Sequence, residues 1–191
     1  FNTSSLTRMD YMFNEALFLT YLDISSFDTS NVTNMKYAFD NLIRLEKIKL
    51  GTNWHFLQNC ALSDSWIREG DTTVYTGEQL INSYNGSTMA GLYLNNSLAY
   101  AILYSNNEMV FQRGSKTDPT KGEVLDIYTD LEYSEYTNAD DLPWASQRSN
   151  IAKITFKDEI IPKRVSFWFY GMINLTEIIN LENLDTSNSP S

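Results

Sequence analysis

FDTSNVTNMKYAF, residues 27–39, copies the pattern of FNTSSLTRMDYMF, residues 1–13, at a spacing of 26 residues. The positions identical in both are Phe1 and Phe27, Thr3 and Thr29, Ser4 and Ser30, Thr7 and Thr33, Met9 and Met35, Tyr11 and Tyr37, and Phe13 and Phe39. Periods of about 20 to 50 residues are typical of stacked units, because one unit alone cannot bury its apolar side. The spacing therefore predicts a short stack of similar units in the first part of the chain.

Each copy combines two kinds of apolar spacing. The strand-like positions, spaced Leu-x-x-Leu-x-Leu, are Leu19, Leu22 and Ile24, and then Leu45, Ile48 and Leu50. The positions that would share one face of a helix are Leu6, Met9, Phe13 and Ala16, and then Val32, Met35, Phe39 and Leu42. A short helix followed by a strand, repeated at this period, is the plan of a leucine-rich repeat.

The strand pattern returns near the end of the chain. Ile151, Ile154 and Phe156 have the spacing, and Leu175 and Ile178 begin it again. Phe169 lies six residues before Leu175, as Phe13 lies six before Leu19. We expect a second, less regular array here. Two arrangements stay open: two separate arrays, or one stack in which the strand at Ile151 lies on the strand at Leu45.

The residues between the arrays lack the period and favour strands and turns. Residues 66–75 predict a hairpin that turns at 69–71, and Thr76 to Gln79 is a capping box that opens a short helix. Asn85-Gly86 predicts a turn. Residues 98–104 and 109–113 predict a second hairpin, and residues 123–129 a further strand.

These patterns predict an α+β, β-rich fold, with short leucine-rich-repeat solenoid segments at both ends flanking a small antiparallel β unit with hairpins. The predicted segments are residues 1–54, a repeat segment; 55–97, an array cap and linker with a hairpin and a short helix; 98–150, a hairpin-rich acidic segment; and 151–191, the start of a second repeat segment. The chain opens inside a repeat, and LENLDTSN at 181–188 re-enters one. We therefore expect a piece of a longer protein.

Composition limits the classes of partner. The 191 residues carry a formal net charge of −10, and most of the excess negative charge lies in residues 55–150. An acidic surface without a basic stripe argues against nucleic acid and anionic membranes. No apolar run approaches the roughly 18 residues that span a bilayer, so we expect no membrane insertion in this segment. One cysteine and one histidine cannot form a disulfide framework or a Cys/His metal site, and we expect no cofactor.

Residues 19–51, LTYLDISSFDTSNVTNMKYAFDNLIRLEKIKLG, resemble the BspA-like leucine-rich repeats of large bacterial surface proteins, in which SSFDTSNVTNM followed by an aromatic residue and Phe recurs. Later pieces, such as IAKITFKDEIIP and FWFYGMINLTEI, are similar to the segment that leads into such an array. The resemblance covers most of the chain, and residues 114–150 match least. It implies a non-enzymatic protein that is secreted or attached to the cell wall of a bacterium. It further implies adhesion to a host extracellular-matrix protein or another surface protein.

Candidate chemistry is sparse. His55 is the only histidine and lies beside Trp54 and Phe56, so packing at the end of the array is the favoured role. Cys60 lies in an apolar context and is expected to be a small core residue. Carboxylate pairs such as Asp130 and Glu132 occur in glycosidases, but neighbouring acids on a strand reach that distance by accident. We therefore expect no enzyme.

Three further features allow a functional and a structural interpretation. An acidic run, which could supply oxygen ligands to calcium, is more typical of a solvated edge; its members are Asp126, Asp130, Glu132, Glu135, Asp140 and Asp141. Aromatic residues make up 14% of the chain and invite a glycan-binding hypothesis, although core packing is favoured. Asn-x-Ser/Thr sequons, which we expect to be polar turns, begin at Asn2, Asn31, Asn85, Asn95 and Asn174.

The candidate ligand-binding surface comprises the residues that alternate with the buried strand positions. If the strands stack in parallel about 4.8 Å apart, Tyr21 lies beside Lys47 and Asp23 beside Lys49 on one face. In the second array the corresponding candidates are Lys153, Thr155 and Glu177. An adhesive protein-interaction surface is the favoured function. The alternatives are a structural spacer within a large surface protein and a glycan-binding β module in residues 98–150.

Overall fold

The computed structural model describes residues 2–189 and divides into two units, one ending at Ser97 and one beginning at Leu98. Each unit contains a five-stranded mixed sheet, and helices are few. The prediction of a β-rich fold is confirmed at this level. The expected segment boundary at 97/98 falls on the division. The boundaries at 54/55 and 150/151 fall inside a unit, because strands from both sides of each pair in one sheet.

The first unit builds its sheet in the order β1-β2-β5-β3-β4. Its strands are β1 (Tyr21–Asp23), β2 (Lys47–Leu50), β3 (Ser65–Arg68), β4 (Val74–Thr76) and β5 (Gly91–Asn95). β1 and β2 are parallel, and the other pairs are antiparallel. The β3–β4 hairpin was predicted from the sequence, and so was the capping box of Thr76 and Gln79 at the start of helix α1 (Gly77–Ser83). Asn85, expected in a turn, caps the short helix α2 (Gly86–Met89).

The helices predicted ahead of β1 and β2 are wrong. Residues 6–16 and 32–42 fold as successive turns, and Tyr11, Glu15, Tyr37 and Asn41 have φ between 54° and 58°. That left-handed region is incompatible with an α-helix. The apolar residues still face inward, since Met9, Met35 and Phe39 are at most 1% exposed. Their spacing therefore reports burial on one side of a turning chain rather than a helix.

Backbone hydrogen bonds join the two copies of the repeat, residues 1–26 and 27–52. The N–H of Phe13 donates to the carbonyl of Ala38 at 3.0 Å, that of Glu15 to Asp40 at 3.0 Å, and that of Ile24 to Lys49 at 3.0 Å. Leu22 pairs with Ile48 in the parallel ladder. The turns and the strand of the first copy are thus both paired with the corresponding turns and strand of the second copy. Phe1, the equivalent of Phe27, lies outside the described residues.

The segment that follows β2 hydrogen-bonds to the second copy of the repeat and covers the aromatic core of the first unit. The N–H of Thr29 donates to the carbonyl of Asn53, and that of Phe39 to the carbonyl of Cys60. Trp54 is fully buried with its ring centroid 5.9 Å from that of Phe39. Both edges of β2 are occupied by strands of its own unit, β1 and β5. The alternative of the strand at Ile151 stacking beside β2 is therefore wrong.

The second unit builds its sheet in the order β10-β9-β7-β6-β8. The strands are β6 (Ala99–Tyr104), β7 (Glu108–Arg113), β8 (Val124–Tyr128), β9 (Lys153–Phe156) and β10 (Glu177–Ile179). β10, β9 and β7 are mutually parallel, while β7–β6 and β6–β8 are antiparallel. Short 3₁₀ turns occupy Pro119–Lys121, Ala139–Asp141, Arg148–Asn150 and Leu181–Asn183. The β6–β7 hairpin and strand β8 agree with the sequence prediction.

Stacked aromatic rings form the core of the second unit. The ring of Phe111 lies between those of Phe156 and Trp168, at centroid distances of 4.7 and 5.3 Å. Trp144 meets Phe111 edge-on and donates its indole N–H to the carbonyl of Trp168 at 3.0 Å. Phe167 and Gly171 have φ of 67° and 73°, the same four-residue spacing as Tyr11 and Glu15 in the first unit. The same turn geometry therefore precedes a parallel strand in both units.

Candidate functional site

The predicted surface of the first unit lies on the side of β1 and β2 that faces away from the core. Tyr21 pairs with Lys47 and Asp23 with Lys49, in the register expected from the sequence. The alternating residues Leu22 and Ile48 are buried, so the four polar side chains share the opposite face. Tyr21 is 47% exposed. The parallel ladder therefore brings four candidate residues together on one solvent-facing patch.

Asp23 is the centre of the hydrogen bonds on this patch. Its Oδ1 accepts from the hydroxyl and the N–H of Ser25 at 2.6 and 3.0 Å, and its Oδ2 accepts from the Tyr21 hydroxyl at 3.2 Å. The Lys49 ammonium lies 3.6 Å from Oδ2. The hydrogen bond from the Ser25 side chain is the largest cause that lowers the pKa of Asp23. Asp23 is therefore an anion at neutral pH.

The charges on the patch remain accessible to a ligand. Lys49 and Asp23 are nearly half exposed, and exposed ion pairs contribute only about 0–1 kcal/mol. Lys47 forms no ion pair with any residue between 2 and 189. It borders an open depression of about 330 Å³, which is lined by Thr20, Tyr21, Glu46, Lys47 and Leu92. A partner can thus engage Lys47 without breaking an existing ion pair.

An apolar stripe continues this face across the rest of the sheet. Leu94 and Leu92 of β5 lie opposite Lys47 and Lys49, Ile67 of β3 lies opposite Leu94, and Val74 of β4 lies opposite Ile67. These side chains are half-buried or exposed and do not belong to the core cluster. Sequence reasoning missed them because β5 follows β2 by about 40 residues. No strand was predicted at residues 91–95, so neither β5 nor its neighbours followed from the sequence.

In the second unit the predicted residues separate into an exposed pair and a buried network. Lys153 lies opposite Glu177, with Nζ 3.3 Å from Oε2. Thr155 donates its hydroxyl to Glu108 Oε1 at 2.7 Å, and Lys121 Nζ lies 2.7 Å from Oε2 of the same carboxylate. Burial would raise the pKa of Glu108, but the hydrogen bonds from Lys121 and Thr155 outweigh it, and the net pKa is lowered. Thr155 therefore serves an internal contact.

The remaining candidates are a buried thiol and the carboxylates of the acidic run. Burial raises the pKa of the Cys60 thiol to about 11, which disfavours the nucleophilic thiolate. In the acidic run, Glu132 accepts two hydrogen bonds from the Arg113 guanidinium at 2.7 and 3.1 Å, and Asp140 lies 2.7 Å from Arg148. Within residues 2–189 no three His, Cys, Asp or Glu side chains converge on a possible metal position.

A family model described as "Mycoplasma protein of unknown function, DUF285" matches residues 1–66, about the first third of the chain. The match covers both copies of the repeat and continues to Trp66 in β3. No match was found among the curated proteins or among the solved structures. In the described part of the chain, no helix has both the length and the apolar character needed to cross a membrane.

Proposed function

We propose that this chain is a segment of a BspA-like leucine-rich-repeat protein that presents an adhesive, non-enzymatic surface outside a bacterial cell. The in-register hydrogen bonds between the 26-residue copies support the solenoid part of this proposal. The parallel pair β9–β10, with the same left-handed turns before β10, supports a second array. The resemblance of residues 19–51 to surface-protein repeats supports the bacterial exterior as the location.

The exposed patch of Tyr21, Asp23, Lys47 and Lys49 is the observation that carries the adhesive role. It lies on a hydrogen-bonded parallel ladder, so the side chains start from a backbone held rigid before binding. The adjoining apolar stripe supplies area that charges alone do not provide. The partner surface that would fit this face carries carboxylates beside apolar groups. Host extracellular-matrix proteins are the proposed partner class.

Charge reversal tests the proposal. The wild-type chain should bind saturably to at least one member of a panel of purified extracellular-matrix proteins coated on plates. The double variant Lys47→Glu with Lys49→Glu should lose at least about tenfold in affinity, because two attractive charges become repulsive. The matched control is Lys116→Glu with Lys163→Glu, two exposed lysines of the second unit, which should bind like wild type.

Two outcomes count against adhesion. Equal binding by the Lys47/Lys49 variant and the control would show that this patch does not contribute to the interaction. Absence of binding to the whole panel by a folded chain would favour the spacer alternative, in which the repeats only separate other modules. Five aromatic residues of the alternative glycan site within residues 98–150 are at most 6% exposed, namely Tyr100, Tyr104, Phe111, Tyr128 and Trp144, which leaves the half-buried Tyr133 and Tyr136 as its aromatic candidates.

A further inference from the structure

Two adjoining depressions in the first unit lie outside the patch on β1 and β2. The first, of about 320 Å³, is lined by Lys36, Tyr37, Gln58, Asn59 and Ala61. The second, of about 430 Å³, is lined by Thr73, Val74, Tyr75, Gln79, Asn82 and Ser83. Gln58 of the first donates a hydrogen bond from Nε2 to Oδ1 of Asn82 in the second. The linings of the two depressions therefore meet at this amide pair.

Two residues that line the first depression have a left-handed backbone, as do turn residues elsewhere such as Tyr11 and Phe167. Tyr37 has φ of 54° and is 41% exposed, and Ala61 has φ of 60°. A left-handed conformation costs about 1–2 kcal/mol for residues other than glycine, and a bulky exposed ring gains little from burial in return. Strained residues of this kind cluster at ligand sites, where surrounding structure holds them in place. The Tyr37 ring is therefore held at the edge of the first depression, with the ring centroid of Tyr11 5.4 Å away.

The residue types in the two depressions match the chemistry of sugars. Each depression combines one tyrosine ring with two primary amides, Gln58 and Asn59 in the first and Gln79 and Asn82 in the second. A flat ring packs against the C–H face of a sugar, and amides donate to and accept from its hydroxyls. The Gln58–Asn82 bond uses neither Gln58 Oε1 nor Asn82 Nδ2. Two such places in sequence suit an oligosaccharide better than a single sugar.

Lys36 adds a charge preference to the first depression. Its Nζ lies 5.0 Å from the centroid of the Tyr37 ring and forms no ion pair with any described residue. This cation–π contact contributes about 0.5–1 kcal/mol at an exposed site, so a ligand can replace it. An acid group on a sugar packed against Tyr37 would lie next to this ammonium. We infer that the two depressions together bind an anionic oligosaccharide, with Tyr37 as the stacking platform and Lys36 as the cation.

The ligand class is tested first on an array of neutral, uronic-acid, sialylated and sulfated oligosaccharides. The whole chain should bind members of an anionic class and not their neutral counterparts. Calorimetry with a glucuronate-containing tetrasaccharide and a neutral N-acetylglucosamine tetramer then measures the preference. Lys36→Gln should reduce binding of the anionic probe by about threefold to fivefold at low salt, the range of one exposed charge pair. Absence of binding to every anionic class, or equal binding of neutral sugars, overturns the inference.

Tyr37→Gly separates a binding role from a structural one. Glycine adopts positive φ without strain, so the variant should keep or raise the melting temperature while losing at least about tenfold in saccharide affinity. Phe167→Gly is the matched control, because Phe167 has φ of 67° and the same 41% exposure but lies in the second unit. It should leave affinity unchanged. Wild-type saccharide affinity in Tyr37→Gly contradicts the inference. Binding of matrix proteins through Lys47 and Lys49 is measured in a separate assay, so either proposal can fail without the other.

Discussion

At the scale of single residues, short polar side chains bend the chain at many turns. Asp23, Asp28, Asp118 and Asp185 each accept a hydrogen bond from the N–H of the serine or threonine two residues later. The pKa of all four aspartates is lowered, with hydrogen bonds to these hydroxyl residues as the largest cause. The sequons at Asn2, Asn85 and Asn95 make the same turn. Such turns were predictable, because Asn and Asp compete locally for backbone N–H groups.

Glu15→Gly should stabilise the protein by about 0.5–1 kcal/mol. Glu15 is exposed with φ of 58°, and glycine removes the Cβ that makes this conformation costly. Gly171 already occupies the corresponding place in the second unit. The measurement is urea unfolding at constant m-value. Glu15→Ala keeps a Cβ and serves as the control; a gain as large in the alanine variant would exclude strain as the cause.

Glu108 should make the protein sensitive to acid. Its folded-state pKa lies below the ordinary value of 4.5, so the carboxylate stabilises the fold above that pH. This contribution is lost as the pH falls through the lowered pKa. Glu108→Gln should therefore lose about 1–3 kcal/mol at pH 7 and show a shallower decline between pH 5 and 3. Parallel curves of unfolding free energy against pH for both proteins would contradict this.

At the scale of elements, the sequence was informative wherever one local pattern decides the structure. The apolar runs at residues 98–104 and 109–113, separated by a polar turn, predicted the right hairpin, and the capping box at Thr76 predicted the right helix start. The segments before β1 and β2 were misassigned because inward-facing residues spaced three and four apart occur in both a helix and a stack of turns. The positive φ at Tyr11 and Tyr37 distinguishes the stack of turns from a helix. A tyrosine in the sequence does not predict positive φ, so this distinction could not be made in advance.

Gly51→Ala should cost at least about 3 kcal/mol. A Cβ at Gly51 would lie 1.9 Å from the carbonyl oxygen of Ser25, so the two copies of the repeat would have to separate. Gly70→Ala is the control, because its Cβ would meet no atom within 4 Å and only its φ of 85° is unfavourable. That change should cost about 1 kcal/mol. Chemical denaturation of both variants measures the difference, and similar losses would show that close approach at Gly51 is unimportant.

At the scale of the whole molecule, each unit has its own core. Ile48 belongs to a cluster formed within residues up to Tyr93, and Phe111 to one formed after Leu98. The sequence predicted charged candidates on both units, because they alternate with buried strand residues. It did not predict the apolar stripe of β5 and β3 or the paired depressions, because these depend on contacts between distant segments.

Core truncation should therefore act on one unit at a time. Ile48→Ala and Phe111→Ala remove fully buried side chains and should cost about 2–5 kcal/mol each. Hydrogen exchange followed by mass spectrometry should show faster exchange before Ser97 in the first variant and after Leu98 in the second. Faster exchange throughout the chain in both variants would show that the two cores unfold as one.

Through-hydrogen-bond scalar couplings in the nuclear magnetic resonance spectrum test the stacking of the 26-residue copies most directly. The structure predicts couplings from the nitrogen of Phe13 to the carbonyl carbon of Ala38 and from that of Ile24 to Lys49. A helix before β1 would instead couple Phe13 to Met9, four residues earlier. Observation of the Phe13–Ala38 coupling supports the stack, and observation of the Phe13–Met9 coupling contradicts it.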